Sequence, residues 1–350
     1  MPFKKLVLAG ASLAFAFNIA NAADVPPQEL PMIHQMVKDV SASRIEADIR
    51  KLVSFGTRHT LSDTVSQTRG IGAARRWIFA EFEKISADCG GCLEVMYISD
   101  TVTGGRIPEP TEVVSVIAIQ RGEHDGERYV SMSGDIDSRV SNPLNGVDDS
   151  PGANDNASGM AGVIEAARVM SKYKFAGSVI YMGLSGEEQG LFGGQIVAKH
   201  ALANDWRIKA VLNNDMIGNI TGINGVTNNT TARVFSEGTR DVETEEEARA
   251  RRFAGGEVDS PSRNIARFVD RQADKYIPNL DVMMIYRLDR FGRGGHHRPF
   301  NAVGIPGVRI METNEHYDRQ HQDIRVEDGR PYGDVLSGVN FAYAAKLTSL

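Results

Sequence analysis

Along the chain, segments whose apolar residues recur every third or fourth position alternate with short, continuous apolar runs. The first kind predicts amphipathic helices over 27–55, 69–85, 158–173, 188–202 and 262–277. The second kind predicts strands over 93–98, 112–120, 128–134, 177–185, 208–218 and 304–312. Strands alternating with helices of this length argue for an α/β fold with a mostly parallel central sheet flanked by helices. One stretch, 221–263, breaks the alternation. It is polar and charged, with Glu245–Arg249 and Glu247–Arg251 at i,i+4 helical spacing, and it reads as a surface insertion carrying a solvated helix. A lid over a neighbouring site is the alternative reading. No internal repeat or linker divides the chain, so a single catalytic-size domain is expected over 23–350.

The first 22 residues have a different character. A basic start at Lys4 and Lys5, a short Ala/Gly-rich apolar stretch and the pattern Ala20-Asn21-Ala22 form the signature of a secretory signal peptide. The apolar stretch is shorter than the about 20 residues a membrane span needs, so export to the periplasm or the medium is expected, without stable membrane insertion. The composition is that of a soluble globular protein, 41% hydrophobic and 24% charged. A net charge of −6 leaves no basic footprint for nucleic acid. Cys89 and Cys92 are the only two cysteines, too few for a structural zinc site. In an exported protein they are expected to form a small disulfide loop, with a redox-active pair as the weaker alternative.

Acidic residues collect where strands give way to loops. Asp135 and Asp137 follow one apolar run, Glu187 and Glu188 a second, Asp215 a third, and Asp155 stands just before a helix. Each has a bland explanation. Ser185 and Glu188 fit a capping box, Asp155 or Asn156 suits a helix N-cap, and Asp137 and Asp215 suit turns. As a set they fit an ordinary reading poorly, because carboxylates converging on one sheet edge repel unless a cation joins them. His321 lies on a later loop and would complete a cation site.

The segments GDIDSR, PGANDNASGM, SGEEQG, NNDMIG, GGHHRPF and YDRQHQD, in this order and spacing, resemble the zinc aminopeptidases of metallopeptidase family twenty-eight, including bacterial exported leucyl-type enzymes. The resemblance runs from about Leu52 to Tyr332. It implies a three-layer sandwich, peptide substrates and two zinc ions. Asp155 would bridge both metals, Asp215 would bind the first, and Glu188 and His321 the second. Glu187 would be the general base, Asp137 a carboxylate orienting its neighbour, and His297 and Tyr317 part of the substrate pocket.

Two positions depart from the family pattern. Asp135 stands where a histidine normally binds the first metal. An all-carboxylate first site of Asp135, Asp155 and Asp215 would hold zinc weakly and tolerate Mn or Mg. His296 stands where an acidic residue is common, and is expected to be a surface histidine beside an arginine-rich loop. The leading expectation is an exported metal-dependent aminopeptidase. A single-zinc glutaminyl cyclase remains an alternative, since Asp155, Glu188 and His321 alone would hold one ion. Removal of C-terminal acidic residues is a further one, given Arg290, Arg293 and Arg298. A non-catalytic binding protein on the same fold is the third class, and the presence of Glu187 beside Glu188 argues against it.

Overall fold

The computed structural model describes residues 29–255 and 259–350; the expected signal peptide lies outside them. Helices α1 (Pro31–Asp39), α2 (Ala42–Val53) and α3 (Gly70–Asp88) precede strands β1 (Leu93–Gly104), β2 (Ile107–Gln120) and β3 (Asp125–Asp135). Next come α4 (Ala157–Met170), β4 (Gly177–Leu184), the single turn α5 (Glu187–Gly190), α6 (Phe192–Ala203) and β5 (Arg207–Asn214). The remainder contains β6 (Thr231–Ser236), α7 (Glu245–Phe253), α8 (Pro261–Tyr276), β7 (Asp281–Ile285), α9 (His297–Asn301) and β8 (Gly307–Glu312). A small hairpin of β9 (Arg325–Glu327) and β10 (Arg330–Tyr332) leads to α10 (Phe341–Thr348).

Strands β1 to β8 form one sheet in the order β1-β2-β4-β3-β5-β8-β6-β7. The middle of the sheet is parallel: β3 pairs with β4 and β5, and β5 with β8. Antiparallel pairing is confined to β1–β2, β2–β4 and β6–β8. The period of two in a strand sends neighbouring residues to opposite faces. In β2, Val116 and Ala118 join the core under α2, α3, α4, α8 and α10, while Ile117 and Ile119 join a second core with α6 and Phe300 of α9. Burial on both faces explains why these strands read as unbroken apolar runs. The result is the expected three-layer α/β sandwich.

Three details differ from the sequence reading. The range 221–263 is not wholly an insertion, because β6 lies inside it and buries Ala232 and Val234 in the core. Its short run is masked by polar neighbours on both sides. The helix α7 does form and buries no residue. Its ion pairs differ from those the spacing suggests: Arg251 pairs with Glu243 at 2.7 Å, while Thr244 and Glu247 close a capping box. Strand β7 was not anticipated.

Cys89 and Cys92 are bridged as a disulfide, linking the end of α3 to the start of β1. No helix among the described residues is long and apolar enough to cross a membrane.

Candidate active site

Parallel pairing brings the carboxyl ends of β3, β4 and β5 to one edge of the sheet, and this edge carries the acidic residues. Asp135 ends β3, Glu187 and Glu188 follow β4, and Asp215 follows β5. Asn156 ties the start of α4 to the ends of β3 and β5. It caps α4 by accepting from Gly159 N (3.0 Å), and its Nδ2 donates to Asp135 Oδ2 (2.7 Å) and to Asn214 O (2.9 Å). Gly159 is needed here because a Cβ would lie 2.2 Å from Asn214 O. The Ser185–Glu188 capping box does not form. Ser185 Oγ instead donates to Val114 O at 2.7 Å, and α5 starts from Gly186 in the left-handed region at φ 72°.

Asp155, Glu188 and His321 come together beside this edge. His321 Nε2 stands 3.0 Å from Asp155 Oδ2 and 3.0 Å from Glu188 Oε1. One donor atom from each of the three falls within 4.8 Å of the others. Two carboxylates and an imidazole in one cluster are a zinc donor set that leaves a coordination position open, so these residues fit a zinc ion. Burial favours a neutral imidazole, yet the Glu188 charge and the Asp155 hydrogen bond prevail and push His321 up to about 9. Burial would likewise raise Asp155, but His321 holds it down at about 2. Both effects favour a proton at Nε2 between the carboxylates, while Arg139 Nη2 meets Nδ1 at 2.8 Å. Backbone and guanidinium contacts hold the cluster. Asp334 accepts from Asp155 N at 2.6 Å, and Arg139 Nε donates to Glu188 Oε2 at 2.8 Å.

The structure does not bring Asp135 and Asp215 into this cluster. Asp135 Oδ1 lies 2.6 Å from His296 Nδ1, and Oδ2 accepts from Asn156. Asp215 Oδ1 lies 3.0 Å from Arg309 Nη2. Arg309 is 1% exposed, and its Nη1 also reaches Asp289 at 3.2 Å. A divalent ion bonded to Asp215 would sit about 5 Å or less from that guanidinium nitrogen, since zinc–carboxylate bonds are about 2.1 Å. Repulsion of about 7 kcal/mol at an effective dielectric of about 20 would oppose it. In this half of the expected pair of sites, Asp135 and Asp215 are each paired with protein groups.

Glu187 borders a cleft of about 770 Å³, together with Asp155, Glu188, Asp215, Arg309 and His321. Its carboxylate has no hydrogen-bond or ion-pair partner among the described residues. Burial, then the charges of Glu188, Asp215, Asp135 and Asp155, raise its pKa well above the ordinary glutamate value. Asp137 acts on the backbone instead. It accepts from Glu187 N (3.2 Å), Glu188 N (3.1 Å) and Thr60 Oγ1 (3.1 Å), which fixes where both glutamates project. Burial and the charges of Glu188 and Asp135 push Asp137 up to about 7.

One expectation is overturned, that for His296, and two expected pocket residues fall outside the cleft lining. His297 is fully buried and does not line the cleft; its Nε2 meets Leu288 O at 2.8 Å. Tyr317 is 49% exposed and lies outside the cleft lining. His296 is no surface histidine but is 0% exposed against Asp135, because the turn before α9 carries it under the sheet edge. Other site residues went unread: Arg309, Arg139, Asp289, Asp334 and Arg58. The fully buried Arg58 donates to Ile136 O (2.8 Å) and Gly152 O (2.9 Å), tying the Asp137 loop to the Asp155 loop. Arg309 carried a usable signal, a charge amid the apolar run of β8.

Comparison with known proteins places this geometry. A family model described as Peptidase family M28 matches residues 115–330. The chain belongs to peptidase family M28. It is 43% identical over 326 residues to a probable zinc metalloprotease of Leptosphaeria maculans, spanning 92% of this chain and 75% of that one. A probable zinc metalloprotease of Pyrenophora teres f. teres is 43% identical over 327 residues, spanning 92% of this chain and 67% of that one.

Among solved structures, the LapA aminopeptidase of Legionella pneumophila superposes with a TM-score of 0.65 at 19% identity, covering 96% of this chain and 75% of that one. The glutaminyl cyclase of Porphyromonas gingivalis gives 0.59 at 16% identity, covering 88% and 95%. At these identities the likeness is one of fold. The M28 match runs from the middle of β2 to the start of β10 and contains Asp155, Glu187, Glu188, Asp215 and His321. The protein is a hydrolase of the metallopeptidase class.

Proposed function

We propose that this M28 member is an exported zinc-dependent aminopeptidase, with its zinc held by Asp155, Glu188 and His321 and with Glu187 as general base. The observation that carries the reading is the meeting of two carboxylates and an imidazole in a cleft beside Glu187, whose carboxylate has no partner among the described residues. Zinc, when bound, supplies an acidified water and a Lewis acid for the scissile carbonyl. Glu187 takes the proton of the attacking water on a carboxylate oxygen and returns it to the nitrogen of the leaving amine. Its raised proton affinity suits both halves of that transfer, since a carboxylate of ordinary pKa is a weak base near neutrality. Asp137 keeps Glu187 and Glu188 side by side, so that base and metal ligand face the cleft together. Export is supported by the Cys89–Cys92 disulfide, which persists in oxidising compartments, and by the N-terminal signature.

A second reading, glutaminyl cyclisation, is favoured by one observation: among the described residues, one cluster of metal-ligating type, Asp155, Glu188 and His321, is gathered at this cleft. A panel of aminoacyl-nitroanilides, run beside an N-terminal glutaminyl peptide with and without chelator, separates the two. Chelator-sensitive release of nitroaniline supports the aminopeptidase. Loss of ammonia with a blocked product N-terminus would shift the assignment to the cyclase.

A further inference from the structure

We propose that Arg309, backed by His296 on Asp135, occupies as a permanent protein cation the position beside Asp215 that a second metal would fill, so that the chain is complete with one divalent ion. The proposal rests on the functional reading above for the ion at Asp155, Glu188 and His321. It concerns the other half of the site.

Arg309 lies in β8 between Val308 and Ile310, both buried in the core. A charge there is tolerated only when it is paired and hydrogen-bonded. Both terminal nitrogens of its guanidinium meet that condition with protein groups, Nη2 on Asp215 Oδ1 (3.0 Å), Nη1 on Asp289 Oδ2 (3.2 Å) and on Gly294 O, while Nε has no partner among the described residues. Arginine does not lose its proton in proteins, so the charge stays at every working pH. Asp135 is closed from its own side. His296 and Asn156 take one oxygen each, and both are buried. A second ion would therefore have to displace three protein groups from three different elements, Arg309 of β8 and the residues that precede α9 and α4, and then remain beside a positive charge. The cluster of Asp155, Glu188 and His321 also has a guanidinium beside it, Arg139 on Glu188 Oε2 (2.8 Å) and on His321 Nδ1 (2.8 Å), but there three donor atoms already face one another.

The replacement also explains an oddity of the sequence. Asp135 stands where the resemblance expects a histidine ligand. A carboxylate at that position is useful as a hydrogen-bond acceptor for His296 and Asn156, and no metal is required for it.

The test is a metal count on the intact protein, independent of turnover. The full chain is purified, exposed to excess Zn or Mn, dialysed against metal-free buffer and analysed by elemental mass spectrometry and zinc X-ray absorption. The expected result is about one zinc per chain, no tightly held manganese beside it, and no metal–metal scattering. Two ions per chain with a metal–metal vector of about 3.5–4 Å, the spacing of paired catalytic sites, would overturn the inference and leave the aminopeptidase reading intact. No tightly held zinc would overturn both. One zinc with a Glu187→Gln variant as active as the natural protein would sink the functional reading alone. Arg309→Met, if folded by circular dichroism, should move the count towards two; a folded variant that stays at one would show that Arg309 is not what excludes the second ion. Should that variant fail to fold, the count on the natural protein still settles the matter.

Discussion

Asp137 Oδ2 accepts the backbone N–H of Glu188 at 3.1 Å. Its other oxygen takes the N–H of Glu187, so one carboxylate fixes the backbone under a base and a metal ligand. In Asp137→Ala both N–H groups lose their acceptor in a buried turn, at a cost of about 1–3 kcal/mol each. The expected outcome is a lower melting temperature with kcat reduced about 10- to 100-fold, since small misplacements of catalytic groups cost that much. Asp137→Asn keeps an acceptor for one of the two and should be milder. Thermal melts and kcat on both variants check this; equal, wild-type-like behaviour would remove the positioning role.

Glu187→Gln keeps the size of the side chain and removes the base. Because Glu187 stands outside the cluster of Asp155, Glu188 and His321, zinc content and fold should be unchanged. Turnover should fall about 100- to 10,000-fold, the range for loss of a general base. Elemental analysis beside kcat measures both halves, and turnover near normal would contradict the assignment.

His321 is the single nitrogen donor of the cluster. His321→Ala should lose zinc and activity together, because two carboxylates make too few protein ligands for a zinc site. Retention of a full zinc complement would reassign His321 to substrate contact.

The titrating groups set a pH signature for the metal-free protein. His321 is raised from 6.5 to about 9, so its contribution to stability is complete below pH 6.5 and lost as pH rises through 9. Burial holds Asp135 near 8 and Asp137 near 7. The fold thus keeps protons there that the unfolded chain releases near pH 4, and stability again falls as pH rises. Asp155, held down at about 2, acts in the opposite sense, losing its contribution only as pH falls through 2. Zinc-stripped protein should therefore melt progressively lower between pH 5 and 9. Added zinc should restore stability more strongly at the alkaline end, since binding expels a proton from His321. Melting curves with chelator and with zinc across this range test it. A stripped protein that gains stability towards pH 9 would refute the proton-filled cluster.

The sequence by itself determined the fold class, the family and the acidic inventory of the site, because those signals are local. Apolar runs buried on both faces, helical periodicity, and carboxylates placed where runs end are all written within a dozen residues. Arg309 and Asp215 are 94 residues apart, and His296 and Asp135 are 161 apart. Their pairing follows from the order β3-β5-β8 and from the turn that carries His296 under the sheet edge. Each strand's own residues are silent about which strand lies beside it, so only the tertiary structure decided which carboxylates meet His321 and which meet Arg309 or His296. The same cause hid the placement of His296, His297 and Tyr317. Whether each is buried or exposed depends on how the loops at 288–297 and 313–321 pack over the sheet edge, and no local periodicity encodes that packing.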